Sequence, residues 1–189
     1  MSDRLNVVGI GNAIVDVLAQ VEERFLERHG IARGSMRLID EEAARALYAD
    51  MPPSREISGG SAANTIAGLA ALGARTAYVG KTRDDQLGRI FAHDIRAQGV
   101  SYDGPVAGAG PETARCLVLV TPDGERSMNT FLGVSGLLAP EEIDVNLMSR
   151  ADWLYLEGYL FDLPEAKEAY QRAVAAVGQP GPAGGAPEG

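Results

Sequence analysis

Two spacings of apolar residues alternate along the chain, and together they lay out its elements. LNVVGIG at 5–11 is a short apolar run ending in glycine, the pattern of a buried strand that runs into a turn. EERFLERHG (22–30) predicts a helix stopped by Gly30, and GSMRLID (34–40) a strand. DEEAARALYA (40–49) follows as a helix with Asp40 as its N-cap and acids in its first turn. After REIS comes the turn SGGSAAN (58–64), which opens the helix AANTIAGLAALG (62–73). The alanines and Gly68 of that helix leave no polar face, so it is expected to be covered on most sides. RTAYVG (75–80) is a strand, and DDQLGRIFAHDIRAQG (84–99) a helix that turns Leu87, Ile90, Phe91 and Ile95 inward and stops at Gly99.

Downstream the pattern changes. Two apolar β-rich runs between 113 and 133 are joined by Pro122-Asp123-Gly124, strong turn chemistry, and so predict a hairpin. A hairpin is foreign to a purely parallel sheet, and with the strand at 34–40 it suggests a small separate sheet. A short helix at 139–149 with Pro140 in its first turn, a strand at 151–158 and an amphipathic helix at 163–177 complete the pattern. The βαβα alternation predicts an α/β fold with a doubly wound, mostly parallel sheet. The Gly/Pro-rich stretch 178–189 has no apolar residue able to pack and is expected to be disordered.

Composition narrows the partners. With 46% hydrophobic residues in 189, the chain can bury a core, and its length suggests one domain. A net charge of −9 disfavours nucleic acid and anionic membrane surfaces, which leaves a small molecule as the expected ligand. One cysteine, Cys116, excludes an internal disulfide, and it is expected in the core within CLVLV. The two histidines, His29 and His93, build no usual metal spacing, and His93 falls on the polar side of its helix. No signal sequence or membrane span is evident, so a cytoplasmic location is expected.

Two phosphate-binding motifs fail. Gly9 and Gly11 begin a G-x-G-x-x-G pattern whose third position is Ile14, and a P-loop ending at Gly80-Lys81-Thr82 would need glycine at Arg75. What stands out instead is Asp16, a lone carboxylate in AIVDVLA just after Asn12. Burial without a partner would cost it several kcal/mol (~2–7). Either a backbone group satisfies it or a ligand rich in hydroxyls does, since a carboxylate accepts hydrogen bonds from vicinal diols. Asn64 poses the same alternatives at the start of an apolar helix, as a local cap or as a donor and acceptor for a ligand. Glu157 ends the strand WLYLE, where open α/β sheets place their ligands.

GGSAANTIAGLAALGARTAYVGKTRDDQLG resembles the N-terminal signature of the ribokinase-like, or PfkB-type, carbohydrate kinases in its two glycines, its asparagine and its V-G-K-x-x-x-D-x-x-G. GNAIVD, the TPDGER hairpin and WLYLEG stand in the family's order over about residues 4–177. GNAIVDV, SMNTFLG and EGYLFD look most like the bacterial adenosine-kinase-like members. The resemblance implies that Asn12 and Asp16, in the turn after the first strand, together with Gly59, Gly60, Asn64 and Glu157, hold the hydroxyls of a sugar or nucleoside. It implies a lid of small sheet over the substrate, built from about 33–39 and 113–132, which excludes water and can pair two copies into a homodimer. It also implies ATP and Mg²⁺ as cofactors of phosphoryl transfer to a hydroxymethyl group.

The family's aspartate base and anion hole reside in a G-A-G-D motif, and no GAGD occurs in this sequence. The expectation is therefore the N-terminal part, 1–177, of a C-terminally truncated ribokinase-like domain with no catalytic residue of its own. Two functions stay open: a fragment of an ATP-dependent kinase, or an inactive sugar- or nucleoside-binding remnant.

Overall fold

The computed structural model describes residues 4–161 and 163–177. The stretch 178–189 lies outside the described residues. The chain begins with β1 (Leu5–Ile10) and β2 (Ile14–Gln20), then α1 (Glu23–Arg28), β3 (Met36–Leu38), α2 (Glu41–Asp50) and β4 (Arg55–Gly59). α3 (Ser61–Ala71), β5 (Thr76–Val79), β6 (Thr82–Arg83) and α4 (Gln86–Ala97) follow. Then come β7 (Ser101–Tyr102), β8 (Val106–Ala107), and the hairpin strands β9 (Ala114–Val120) and β10 (Arg126–Phe131). α5 (Val145–Ser149), β11 (Ala151–Leu156) and α6 (Pro164–Ala176) close the described part.

The main sheet has the order β11-β1-β5-β7, and every pair in it is parallel. Helices cover both of its faces. On one side Gly9 of β1 is so close to Ile66 of α3 that a Cβ would collide with that side chain, and Tyr78 packs with Phe91 of α4. On the other side Val8, Ile10, Ala77 and Val79 meet Met148 of α5 and Ala166, Ala169, Tyr170 and Ala173 of α6. This is the doubly wound arrangement expected from the βαβα pattern.

The second sheet has five strands in the order β3-β10-β9-β2-β4. β9 and β10 form the antiparallel hairpin, with Gly124 at φ 86° in its turn, and β2 joins β9 in parallel. Val15, Val17 and Ala19 of β2 and Leu117 and Leu119 of β9 turn toward α2 and α4 and share one core with the α3 side of the main sheet. This sheet is larger than the sequence pattern suggests. GNAIVD is not a turn after the first strand: only 11–13 connect, and Asp16 stands in the middle of β2. IVDVLA alternates about Asp16, so its apolar members fall on both faces of a strand.

Other differences have local causes. The strand of 34–40 is ordered as a strand only over Met36–Leu38, at the sheet edge. The helix expected over 139–149 divides into a 3-10 turn at Pro140–Glu142 and α5, because Asp144 caps a new start by accepting from the Asn146 N–H. α3 is not covered on most sides: it buries Ala62, Ala63, Ile66 and Ala67, and Asn64 and Gly68 on its outer side face solvent. Cys116 is a buried free thiol, but it belongs to the face of the second sheet turned away from both core clusters.

Candidate functional site

The site grows from the end of β4, where Gly59 pairs with Ile14 at the start of β2. β4 stops at Gly59, Gly60 takes φ 96°, and α3 starts at Ser61. Only glycine adopts that φ without strain, and a Cβ at Gly60 would also lie 2.6 Å from the Asn12 carbonyl oxygen. The turn is thus pressed against the connection between β1 and β2. Asn64 closes the first turn of α3 by donating its backbone N–H to the Gly60 carbonyl at 2.9 Å, while its side chain is exposed and makes no hydrogen bond to the described residues.

Asp16 lies beside this turn. A Cβ at Gly59 would collide with its carboxylate, so the glycine is what leaves room for the acid. Cross-strand register sets Asp16 in a row with Ile57, Cys116, Thr130 and Leu38, all on the open face of the second sheet. The next row on that face is Leu18, Val118, Met128 and Met36, with Arg55 of β4 at its end. Asp16 is half-buried, and no hydrogen bond reaches its carboxylate from the described residues. Burial pushes its pKa up to about 6, against the opposing pull of the Arg126 charge.

Asn12 and Glu157 lie deeper. Glu157 is 4% exposed and Asn12 2%. One carboxylate oxygen of Glu157 accepts from the Asn12 N–H at 2.8 Å and its Nδ2 at 2.5 Å. The other accepts from the Ser61 hydroxyl at 2.8 Å and the Ala62 N–H at 3.3 Å. Asn12 Oδ1 accepts from the Ser135 hydroxyl at 2.8 Å. Both side chains are therefore hydrogen-bonded within the protein, beneath the turn rather than at its surface.

The sequence matches the profile described as pfkB family carbohydrate kinase over residues 51–181. The chain belongs to this family. A solved adenosine kinase from Sinorhizobium meliloti is 50% identical with a TM-score of 0.83, the match covering 92% of this chain and 53% of that one. A probable sugar kinase from Rhizobium etli CFN 42 is 49% identical at the same TM-score, over 93% of this chain and 53% of that one. Fructokinase-1 of Oryza sativa subsp. japonica is 33% identical over 133 residues, 69% of this chain and 41% of the relative. The chain thus spans about half the length of these solved kinases and about two fifths of that curated relative.

In this carbohydrate-kinase chain, the six residues singled out from the sequence come together around one turn, but at two depths. Asp16, Gly59, Gly60 and Asn64 line its outer side, and Asn12 and Glu157 support it from within. Sequence reasoning left the role of Ser61 open and missed Ser135; both join the network of Asn12 and Glu157. It also missed Thr130, whose hydroxyl donates to Cys116 Sγ at 3.3 Å in the row of Asp16. The period-2 alternation of IVDVLA signals which residues share the Asp16 face, whereas nothing local marks Ser135. Among the described residues no three His, Cys, Asp or Glu side chains group to hold a metal ion, and no helix is long and apolar enough to cross a membrane.

Proposed function

We propose that this chain carries the acceptor side of an ATP-dependent kinase that phosphorylates a hydroxymethyl group of a sugar or nucleoside. The observation that carries the proposal is Asp16: a half-buried carboxylate, pressed on Gly59, with no hydrogen bond from the described residues. An ionised acid in such a place is stabilised by a ligand that donates hydroxyls. Asn64, exposed on the first turn of α3, offers a donor and an acceptor on the other side of the same glycines. The open face of the second sheet acts as the lid over the ligand, and its exclusion of water protects the phosphoryl donor from hydrolysis. Met36 and Leu38, 57% and 64% exposed on the edge strand β3, favour pairing of two lids in a homodimer.

ATP supplies the phosphoryl group and Mg²⁺ the charge neutralisation of its phosphates in such a reaction. The described residues orient the acceptor, and they offer no grouping of acids for the metal. A second reading is a sugar- or nucleoside-binding protein without turnover. Calorimetric titration with adenosine and with D-fructose, alongside a phosphoryl-transfer assay with ATP and Mg²⁺, tests both. Binding that disappears in Asp16→Asn is expected, and its persistence in that variant would overturn the role of Asp16. Transfer above a no-protein control would eliminate the second reading.

A further inference from the structure

Glu157 sits where three separate stretches of chain meet, and each of its carboxylate oxygens serves a different one. Oε1 takes both donors of Asn12, at the head of the connection that leads four residues later to Asp16. Oε2 takes the Ser61 hydroxyl and the Ala62 N–H, at the head of the helix that carries Asn64. A helix N-terminus leaves its first N–H groups without partners inside the helix and favours negative charge, so the acid stabilises α3 at its first turn. The Glu157 backbone is fixed as well: its N–H donates to the Ile10 carbonyl at 3.2 Å, and its carbonyl accepts from the Tyr170 hydroxyl at 2.8 Å. Through Asn12 Oδ1 and Ser135 the network reaches the segment that leaves the hairpin β9–β10. The packing leaves no slack, since a Cβ at Gly11 would lie 2.6 Å from Glu157 Oε2 and 2.7 Å from the Ala62 Cβ.

We infer that Glu157 is a positioning residue, a buried clamp that holds the Asp16 segment and the Asn64 helix at a fixed separation without touching the ligand. This rests on the proposal that Asp16 and Asn64 bind the acceptor. A ligand contact by Glu157 would require one of its four donors to be given up, and Ala62 N–H and Asn12 N–H have no rotamer by which to turn away. Charge-assisted hydrogen bonds are about twice as strong as neutral ones, so the clamp adds a strong side-chain link to the β2–β4 ladder that already ties Asp16 to the turn.

Glu157→Gln tests the clamp. The amide keeps one acceptor oxygen for Asn12 and turns its NH₂ toward α3, where the Ser61 hydroxyl can rotate to accept it but the Ala62 N–H cannot. Hydrogen exchange followed by mass spectrometry is expected to quicken over residues 60–65 in this variant while residues 5–10 keep their protection. Adenosine affinity, measured by calorimetry, is expected to fall about tenfold, the effect of roughly one lost charge-assisted hydrogen bond. Adding Ser61→Ala to Glu157→Gln is expected to change that affinity by less than about twofold, as two residues of one network are non-additive. Unchanged exchange at the turn, faster exchange with unchanged affinity, or additive losses would each overturn the clamp. Should Glu157→Gln fail to fold, Ser61→Ala alone is expected to move both readouts in the same direction by a smaller factor, and no movement overturns the clamp. If the unmodified protein binds neither adenosine nor D-fructose, the proposed function fails, and the exchange comparison alone decides the clamp.

Discussion

Asp16 shows how a single buried charge links stability to binding. Its pKa rises from 3.8 in an unfolded chain to about 6 in the fold, chiefly by burial. Between those values the folded state holds a proton that the unfolded state has released, so the stability present below pH 4 is lost as pH rises toward 6. Above pH 6 the ionised carboxylate costs the fold on the order of 2 kcal/mol, allowing for its partial exposure. Asp16→Asn is therefore expected to melt several degrees (~5 °C) above the unmodified protein at pH 7.5, with the gap closing below pH 4, in thermal scans across that range. Ligand hydroxyls that donate to the ionised form reverse this cost, so adenosine affinity is expected to strengthen as pH rises through 6. Gly60 is the second decisive residue. Gly60→Ala places a side chain at φ 96° and against the Asn12 carbonyl, and a loss of about 1–3 kcal/mol is expected in urea titrations.

At the scale of elements, caps and stops were written locally and formed as written. Asp40 accepts from the Ala43 N–H at 2.8 Å, and Gly73 and Gly99 end α3 and α4 at positive φ. Asp85 does more than cap. Besides the Gly88 N–H at 2.8 Å, it takes the Thr113 N–H at 2.9 Å and the Thr113 hydroxyl at 2.7 Å, tying α4 to the start of the hairpin. Asp40→Ala is expected to cost about 1 kcal/mol and Asp85→Ala about 2–4 kcal/mol, because only the latter strands buried donors of a second element. Chemical denaturation of the two variants checks the difference. Strands β2 and β4 were not assigned from the sequence, for a physical reason. β2 places Asp16 on one face between Ile14 and Leu18, and β4 is a short edge strand beginning Arg55-Glu56, so neither reads as a continuous apolar run. Their pairing with each other and with β9 is what makes them strands.

The described residues form two cores, one between the sheets and one beneath α5 and α6. Among the described residues β11 pairs with β1 alone, and Trp153 is 73% exposed on it beside Tyr155. An unpaired edge with a large apolar side chain favours association. Trp153→Lys is expected to reduce concentration-dependent association in analytical ultracentrifugation while leaving the melting temperature within about 2 °C, as surface changes contribute little to stability.

The sequence by itself determined the layer order, because apolar spacing, caps and glycine stops act within a few residues of one another. It also marked Asp16 and Asn64, polar groups in apolar surroundings that call for a partner. Only the tertiary structure decided that Asp16 takes no hydrogen bond from the described residues, while Asn12 and Glu157 join Ser61, Ala62 and Ser135 in one network beneath the turn. Burial and hydrogen-bond pairing there depend on contacts across 145 residues of chain, and no local pattern encodes a contact of that span.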